Sequence, residues 1–513
     1  MRLTLKDIIK SYEAIKKLAF EEFNTGNLQK SLYYIDQATV LAQQFNWIYA
    51  DDELENLLSD ISNKIIINKP TNYTPQINKV VIFDDYCRSF VLVLQYIKAL
   101  VALNVEILYI TGKDFTNDGL GYALNTIKEF PNVKVEIIPQ DKNILNRIKL
   151  INEKVCDFQP SKLFLHLTAK SVFIPTLYSF PKGITRYIIN LADQTFWLGS
   201  KGVDYSLEFR QFGATVSFEK RGLKKEQLLS VPFYPIADDN SFAGFPKITK
   251  GKVVVFSGGD FYKTINPQNT YWDLVKSILT ENPNVVFLMA TKVENGGAKS
   301  FLNDFILKNN FEDRFIYIGF RSDINEVFKH CDIFMGTCPA SGSLMSQLAA
   351  THAKPILQFY LPDTSDDETE AAICHNGDIR ISFTQKEAFL EEAKKLINNI
   401  EYRKTRGSEI KSVMFTEEQF NERIEQLLNG KTMLAPPSPH SVDYDALTER
   451  WYWIEYTGFI ETVQFVYSIL GLERLRQMLP AIWLKYIYGR YFQTKIFSLN
   501  WYNYKLVSKN KNI

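Results

Sequence analysis

Twice along this chain, short runs of β-branched and aromatic residues alternate with amphipathic segments, and stretches rich in Pro, Asn, Asp and Gly bound each series. The first series holds VVIFDDY (Val80 to Tyr86), VEILYITG (Val105 to Gly112), VKVEIIP (Val133 to Pro139), KLFLHLT (Lys162 to Thr168) and RYIINLAD (Arg186 to Asp193). Helical patterns such as Phe90 to Ala102 and Tyr122 to Phe130 separate them. Runs this apolar read as strands covered on both faces, and strands separated by helices pair in parallel through crossover connections. After the linker VPFYPIADDNSFAGFPKITKG (Val231 to Gly251) the alternation restarts as KVVVFSG, NVVFLMA, RFIYIGF, DIFMG and KPILQF. Helices are expected there over about Asn269 to Leu279, Lys299 to Lys308 and Ile324 to His330. The pattern constrains the chain to the α/β class, with two doubly wound parallel sheets in tandem.

The flanks are different in kind. Residues 1–66 carry helical spacing, as in Ile8, Ile9, Tyr12, Ile15, Leu18 and Ala19, broken at Gly26. The piece IKKLAFEEFNTGNLQKSLYYIDQATVLAQ resembles a single tetratricopeptide-type hairpin with no second copy, so it reads as a helical cap or as a partner-docking hairpin. INKPTNYTPQINK (Ile67 to Lys79) is a linker. The expected domains are therefore 1–66, a Rossmann-like domain over 77–235, a second over 251–430, and a helical extension over 441–513.

That extension is crowded with aromatics, among them Trp451, Trp453, Tyr467, Trp483, Tyr486 and Tyr488, with Arg474, Arg476, Lys485 and Arg490 between them. Gly471 to Ile513 holds eight Lys or Arg and one acid, whereas the whole chain has a net charge of +1. The overall balance argues against nucleic-acid binding. The tail reads either as an interfacial element on an anionic membrane surface or as aromatic helices packed on the first domain. Five scattered cysteines without a C-x-x-C spacing argue against a zinc site or a disulfide framework and fit a reducing, cytoplasmic setting, possible contact with the inner membrane face aside. The charged N-terminus does not read as a secretory signal, and no run of eighteen apolar residues suggests a membrane span.

Two loops stand where open α/β sheets bind ligands, at strand carboxyl ends that open onto helix N-termini. FSGGDFYK (Phe256 to Lys263) pairs Gly258 and Gly259, which permit close backbone approach, with a lysine suited to phosphate. MGTCPASGSLMSQLAATHAKPIL (Met335 to Leu357) places small and hydroxylated residues between a strand and a helix. GFRSDINEVFKHCDIFMGTCPASGSLMSQLAATHAKPILQF resembles the donor-binding half of GT-B fold glycosyltransferases, and is most similar to the large retaining group called family 4. IRISFTQKEAFLEEAKKLINNIEYRKTRGSEI (Ile379 to Ile410) is similar to the strand and helix that follow in those enzymes, so the resemblance spans roughly residues 251–428.

The resemblance implies a nucleotide-sugar, with UDP or GDP, held between two domains. It implies Gly258, Gly259 and Lys263 at the diphosphate, Phe320 and Arg321 beside the base, and Ser341, Gly342 and Ser343 on phosphate oxygens. The family's pair of glutamates is absent: Leu348 stands where the second is expected, leaving Gln347 or Ser346 for the ribose hydroxyls. No D-x-D motif ends a strand, so neither a metal nor another cofactor is expected, and Lys263, Arg321 and the helix N-terminus are left to carry the leaving-group charge. For a base, Asp193 and His166 both lie near strand carboxyl ends, each with a structural role as the alternative. Phe196, Trp197 and Gly199 read as acceptor pocket or core, Asp84 and Asp85 as acceptor contacts or, in preference, solvated loop, and SDDETE (Ser365 to Glu370) as a solvated acidic loop. The expected activity is transfer of a sugar to a glycan, lipid-linked or protein acceptor in bacterial polysaccharide or glycan assembly. A catalytically inactive GT-B-like interaction protein and a nucleotide-sugar epimerase are the alternatives.

Overall fold

The computed structural model describes residues 3–66, 73–85, 90–112, 121–139, 143–167, 174–236, 240–291, 296–361, 368–431, 433–438, 441–454 and 459–492. They form two compact units, the first made of Met1–Phe233, Glu417–Pro439 and Phe459–Ile487, the second of Tyr234–Thr416, His440–Gly458 and Tyr488–Ile513.

The first unit contains strands β1 (Gln76–Asp84), β2 (Glu106–Thr111), β3 (Val133–Ile137), β4 (Pro160–His166), β5 (Thr185–Asn190), β6 (Tyr205–Glu208) and β7 (Leu228–Ser230). Their order is β3-β2-β1-β4-β5-β6-β7, and every pairing is parallel. The central strands are buried on both faces, with Val80 to Phe83 and Leu163 to Leu165 inaccessible, which is why they read as unbroken apolar runs. Two strands go beyond the sequence expectation: YSLE and LLS are too short and too mixed to stand out.

Helices Leu5–Asn24, Leu28–Phe45 and Asp52–Ile65 precede this sheet. Thr4 and Asp7 cap the first reciprocally, and Gly26 turns the chain at φ +84°. The second helix lies on the first, Ser31 donating to the Ala19 carbonyl at 2.8 Å inside the interface. The group docks on the sheet's loops through two polar anchors. Asn46 accepts from Phe196 N at 2.8 Å and donates to the Gln194 carbonyl, while the buried Glu55 accepts from Gly199 N at 2.7 Å and Ser200 N at 3.1 Å. Burial raises the Glu55 carboxyl above its ordinary range against these bonds and one from Tyr178. Phe196 and Trp197 are thus core, and Gly199 has its amide engaged by Glu55.

Later parts of the chain complete this unit. Ser230 N donates to the Met433 carbonyl at 2.7 Å and Ala435 N to that of Leu228 at 2.8 Å, covering the edge at β7. Helix Glu417–Leu428 was expected in the second domain, but it packs on helix Phe90–Ala102, where Phe420 meets Tyr96 edge-on at 5.1 Å. Its apolar stripe shows that it covers something, without showing which sheet.

Helices Phe459–Met478 and Pro480–Phe492 also belong largely here. Tyr467 stacks on Tyr486 at 4.2 Å, Arg474 donates to Tyr34 Oη at 3.0 Å, and Lys485 pairs with Asp7 at 2.6 Å. These two cations, expected among the lipid-facing charges, are held by the N-terminal helices. Among the described residues no helix is long and apolar enough to cross a membrane. The aromatics and lysines of residues 493–513 lie outside the described residues.

The second unit holds β8 (Val253–Gly258), β9 (Val285–Ala290), β10 (Phe315–Tyr317), β11 (Ile333–Met335), β12 (Ile356–Phe359) and β13 (Ser382–Phe383), ordered β10-β9-β8-β11-β12-β13 and all parallel. One face packs Trp272, Tyr271 and Phe287, the other Phe256, Phe328 and Phe334. Both faces being covered fixes the sheet as the middle layer of three.

Candidate functional site

In a doubly wound sheet the crevice lies where the strand order reverses, outside the carboxyl ends. In the second unit that point is between β8 and β11, and the two loops singled out in the sequence meet there. Gly258 ends β8 facing the site helix, Ser343–Thr351, and a Cβ on it would come within 2.8 Å of Met345 Cε. Gly259 follows at φ +144°, backbone that favours glycine, beside Thr337 and Lys263. The short turn Phe261–Thr264 then carries Lys263 toward the site helix, and a Cβ on Gly342 would lie 4.0 Å from Lys263 Nζ.

Burial pushes the Lys263 ammonium below the ordinary lysine range, with partial compensation from Asp260. Among the described residues no hydrogen bond or ion pair engages it. The site helix begins at Gly342 with no side-chain cap, so its first-turn amides present a partial positive charge to the same place.

The loop between β11 and the site helix is held from below. Gly336 has room for no side chain, since a Cβ would fall 1.9 Å from Gln358 Oε1. Gln358 donates to the Thr337 carbonyl at 3.0 Å, and Thr337 Oγ1 to the Ala340 carbonyl at 2.6 Å. Cys338-Pro339 is a cis peptide. Ser341 Oγ donates to Glu368 Oε2 at 3.2 Å, and Arg450 donates to the Pro339 carbonyl at 3.1 Å while pairing with Glu368 at 3.6 Å. Glu368 and Thr369 are buried, and Glu370 accepts from Ile381 N, Ser382 N and Ser382 Oγ. The end of SDDETE is therefore not a solvated loop; its Ser365 to Asp367 lie outside the described residues.

Two further donor-side expectations change. Arg321 forms a bidentate pair with Asp323 at 2.6 and 2.5 Å and donates to the Gly244 carbonyl at 2.9 Å, so its charge is already used within the protein. That arginine holds the Asp323 carboxyl down to about 2. Gln347 is buried and donates to the Ala372 carbonyl at 2.9 Å, fastening the site helix to the next one instead of offering an amide N–H to ribose. Phe320, by contrast, is 68% exposed just beyond β10, after Gly319 at φ +70°.

In the first unit the reversal falls between β1 and β4, and the register sets Asp84 beside both Thr111 and His166. Asp84 is fully buried, correcting its reading as solvated loop. It accepts from His166 Nδ1 at 2.9 Å and from Tyr109 Oη at 2.7 Å. Asp193 is not available as a base. Its carboxylate takes two bonds from Arg210 at 2.6 and 3.0 Å, inside a region where Arg221 Nη2 donates to the carbonyls of residues 192, 193 and 195. Its charge is already taken up within the protein by a buried bidentate arginine pair. Next to it the buried Glu208 carboxyl is pushed up by burial and held by Asn190, Ser206 and Ser217. Among the described residues no three His, Cys, Asp or Glu side chains group as metal ligands.

No family model matches this chain, and no curated protein does. Among solved structures, a mutant O-GlcNAc transferase from Thermobaculum terrenum aligns with 85% of this chain and 84% of its own at 13% identity and a TM-score of 0.51. The chain has the GT-B fold. Anabaena HepE in complex with UDP and glucose aligns with 69% of this chain and 99% of its own, at 14% identity and a TM-score of 0.48. A Listeria monocytogenes protein described as a UDP-N-acetylglucosamine 2-epimerase aligns with 71% and 99%, at 12% identity and a TM-score of 0.48. These likenesses are at the level of fold and do not single out family 4.

Proposed function

We propose that this protein is a glycosyltransferase that takes its sugar from a nucleoside diphosphate, with the diphosphate seated between Lys263 and the N-terminus of the site helix. One observation carries the reading: a half-buried ammonium without a hydrogen-bond partner among the described residues faces an uncapped helix start at a strand-order reversal. A half-buried cation that Asp260 compensates only in part is costly, and an anion bound there satisfies it and the helix amides together. The O-GlcNAc transferase that shares the fold supports transfer over plain binding. Departure of the nucleoside diphosphate leaves negative charge on the diphosphate, where Lys263 and the amides of Ser343 and Leu344 stabilise it. Phe320 offers an exposed ring for a base to stack on.

In the first unit His166 is the proposed proton acceptor for an acceptor hydroxyl. Asp84 fixes its Nδ1, which leaves Nε2 as the basic nitrogen. Glycan, lipid-linked and protein acceptors all supply such a hydroxyl, and assembly of bacterial polysaccharide is the setting we favour.

The test is a calorimetric panel of UDP, GDP and their sugars, followed by product analysis with and without acceptor. Tight binding of one nucleotide with transfer or slow hydrolysis of its sugar is expected. Binding without turnover points to an interaction protein, a changed sugar without acceptor to an epimerase, and no binding at all refutes the site.

A further inference from the structure

The extension helix Tyr444–Ile454 is read from its sequence as aromatic and basic, yet within the second unit it delivers one buried side chain to the candidate diphosphate loop. Arg450 is 7% exposed, and Glu368 is 1% exposed. The guanidinium donates to the Pro339 carbonyl at 3.1 Å and lies 3.6 Å from Glu368 Oε1, while the other oxygen of that carboxylate accepts from Ser341 Oγ at 3.2 Å. A carboxylate thus backs directly onto the residues that precede the site helix. Left alone, its charge would repel an anion bound at Ser341 to Ser343 and cancel part of what Lys263 and the helix amides supply.

We infer that Arg450 is a positioning residue for nucleotide binding, which neutralises Glu368 and pins Pro339 so that the loop presents a net positive face to a diphosphate. The inference rests on the nucleoside-diphosphate reading above. It assigns the extension a part in donor binding, 111 residues along the chain from the carbonyl it holds. The electrostatic component makes a prediction that a purely structural brace does not: removing the carboxylate as well should repair the loss of the arginine.

The experiment measures UDP and GDP affinity calorimetrically for the wild type, Arg450→Met, Arg450→Lys, Glu368→Gln and the double variant Arg450→Met/Glu368→Gln, with circular dichroism on each. Arg450→Met is expected to weaken binding by about ten-fold or more, because it strands a buried charge beside the anion. Arg450→Lys should keep much of the affinity, Glu368→Gln should bind at least as tightly as the wild type, and the double variant should return to within about three-fold of it. A double variant as weak as Arg450→Met, or an Arg450→Met that binds as the wild type does, overturns the inference. If Arg450→Met does not fold, the double variant decides alone: near-wild-type affinity upholds neutralisation, and a loss of about ten-fold overturns it. A wild type that binds neither nucleotide overturns the underlying reading and this inference with it, whereas failure confined to the variants overturns the inference only.

Discussion

Replacing Lys263 with Met gives a direct measure of the proposed diphosphate site. Met keeps an unbranched side chain of similar length and removes the charge, so the packing around Gly259 and Gly342 should survive. A hydrogen bond to a charged group contributes about 1.5–3 kcal/mol, and tenfold in affinity corresponds to about 1.4 kcal/mol, so nucleotide affinity should fall by about 10- to 150-fold. The empty protein should behave in the opposite sense. Burial already disfavours the ammonium and Asp260 offsets that cost only in part, with no hydrogen bond or ion pair among the described residues, so the variant should unfold at an equal or higher denaturant concentration than the wild type. Calorimetry with UDP and GDP reads the first effect, and equilibrium unfolding without ligand reads the second. Affinity unchanged within two-fold would show that the ammonium does not meet the diphosphate. Reduced stability of the empty variant would show that Lys263 has a structural partner, and the reasoning from its isolation would fail.

The same lysine predicts a coupled pH dependence. Its folded-state proton affinity is lowered by burial, so between that lowered value and the ordinary lysine value the unfolded chain holds more protons. Stability of the empty protein should therefore rise with pH across that window while nucleotide affinity falls, and Lys263→Met should abolish both trends. Gly336→Ala should destabilise the second unit by about 1–3 kcal/mol in denaturant titrations, because its Cβ collides with Gln358 and dislodges the amide that holds the Thr337 carbonyl. Asp193→Asn should lower the thermal midpoint by leaving Arg210 buried without its charge partner, yet leave UDP affinity of the folded protein unchanged. A loss of affinity equal to that of Lys263→Met would return Asp193 to the functional residues.

What could be read from the sequence was mostly local. Gly258, Gly259 and Lys263 follow one strand within a few residues, and Ser341 to Ser343 open the helix after another, so strand-turn-helix chemistry is visible in the order of residues alone. Five strands of the second unit were visible for the same reason, as apolar runs between breakers, whereas the two-residue β13 was placed only by the resemblance. The errors came from partners that the order of residues does not reveal, most of them distant in sequence. Asp193 ends a strand-like run and resembles a base until Arg210, seventeen positions on, claims both oxygens. Asp84 follows an apolar run and looks solvated until the register places it against His166. Arg321 and Gln347 have residue types suited to a nucleotide, but their use depends on Asp323, Gly244 and Ala372 in their surroundings. Glu368 and Arg450 carried no signal: an acidic loop and an aromatic helix 82 positions apart reveal their pairing only when folded.

The return of residues 417–439 and 459–487 to the first unit has a consequence for how the chain is made. On the ribosome, β7 and the N-terminal helices emerge long before the extended segment at Met433 to Ala435 and the helix bearing Lys485 that cover them. The first unit must therefore remain open at its edge while the whole second sheet is being synthesised. A chain stopped at residue 416 would carry both sheets and still leave the earlier one unfinished, which makes residues 417–439 and 459–487 the step that completes the first unit and a natural point for a chaperone to hold it.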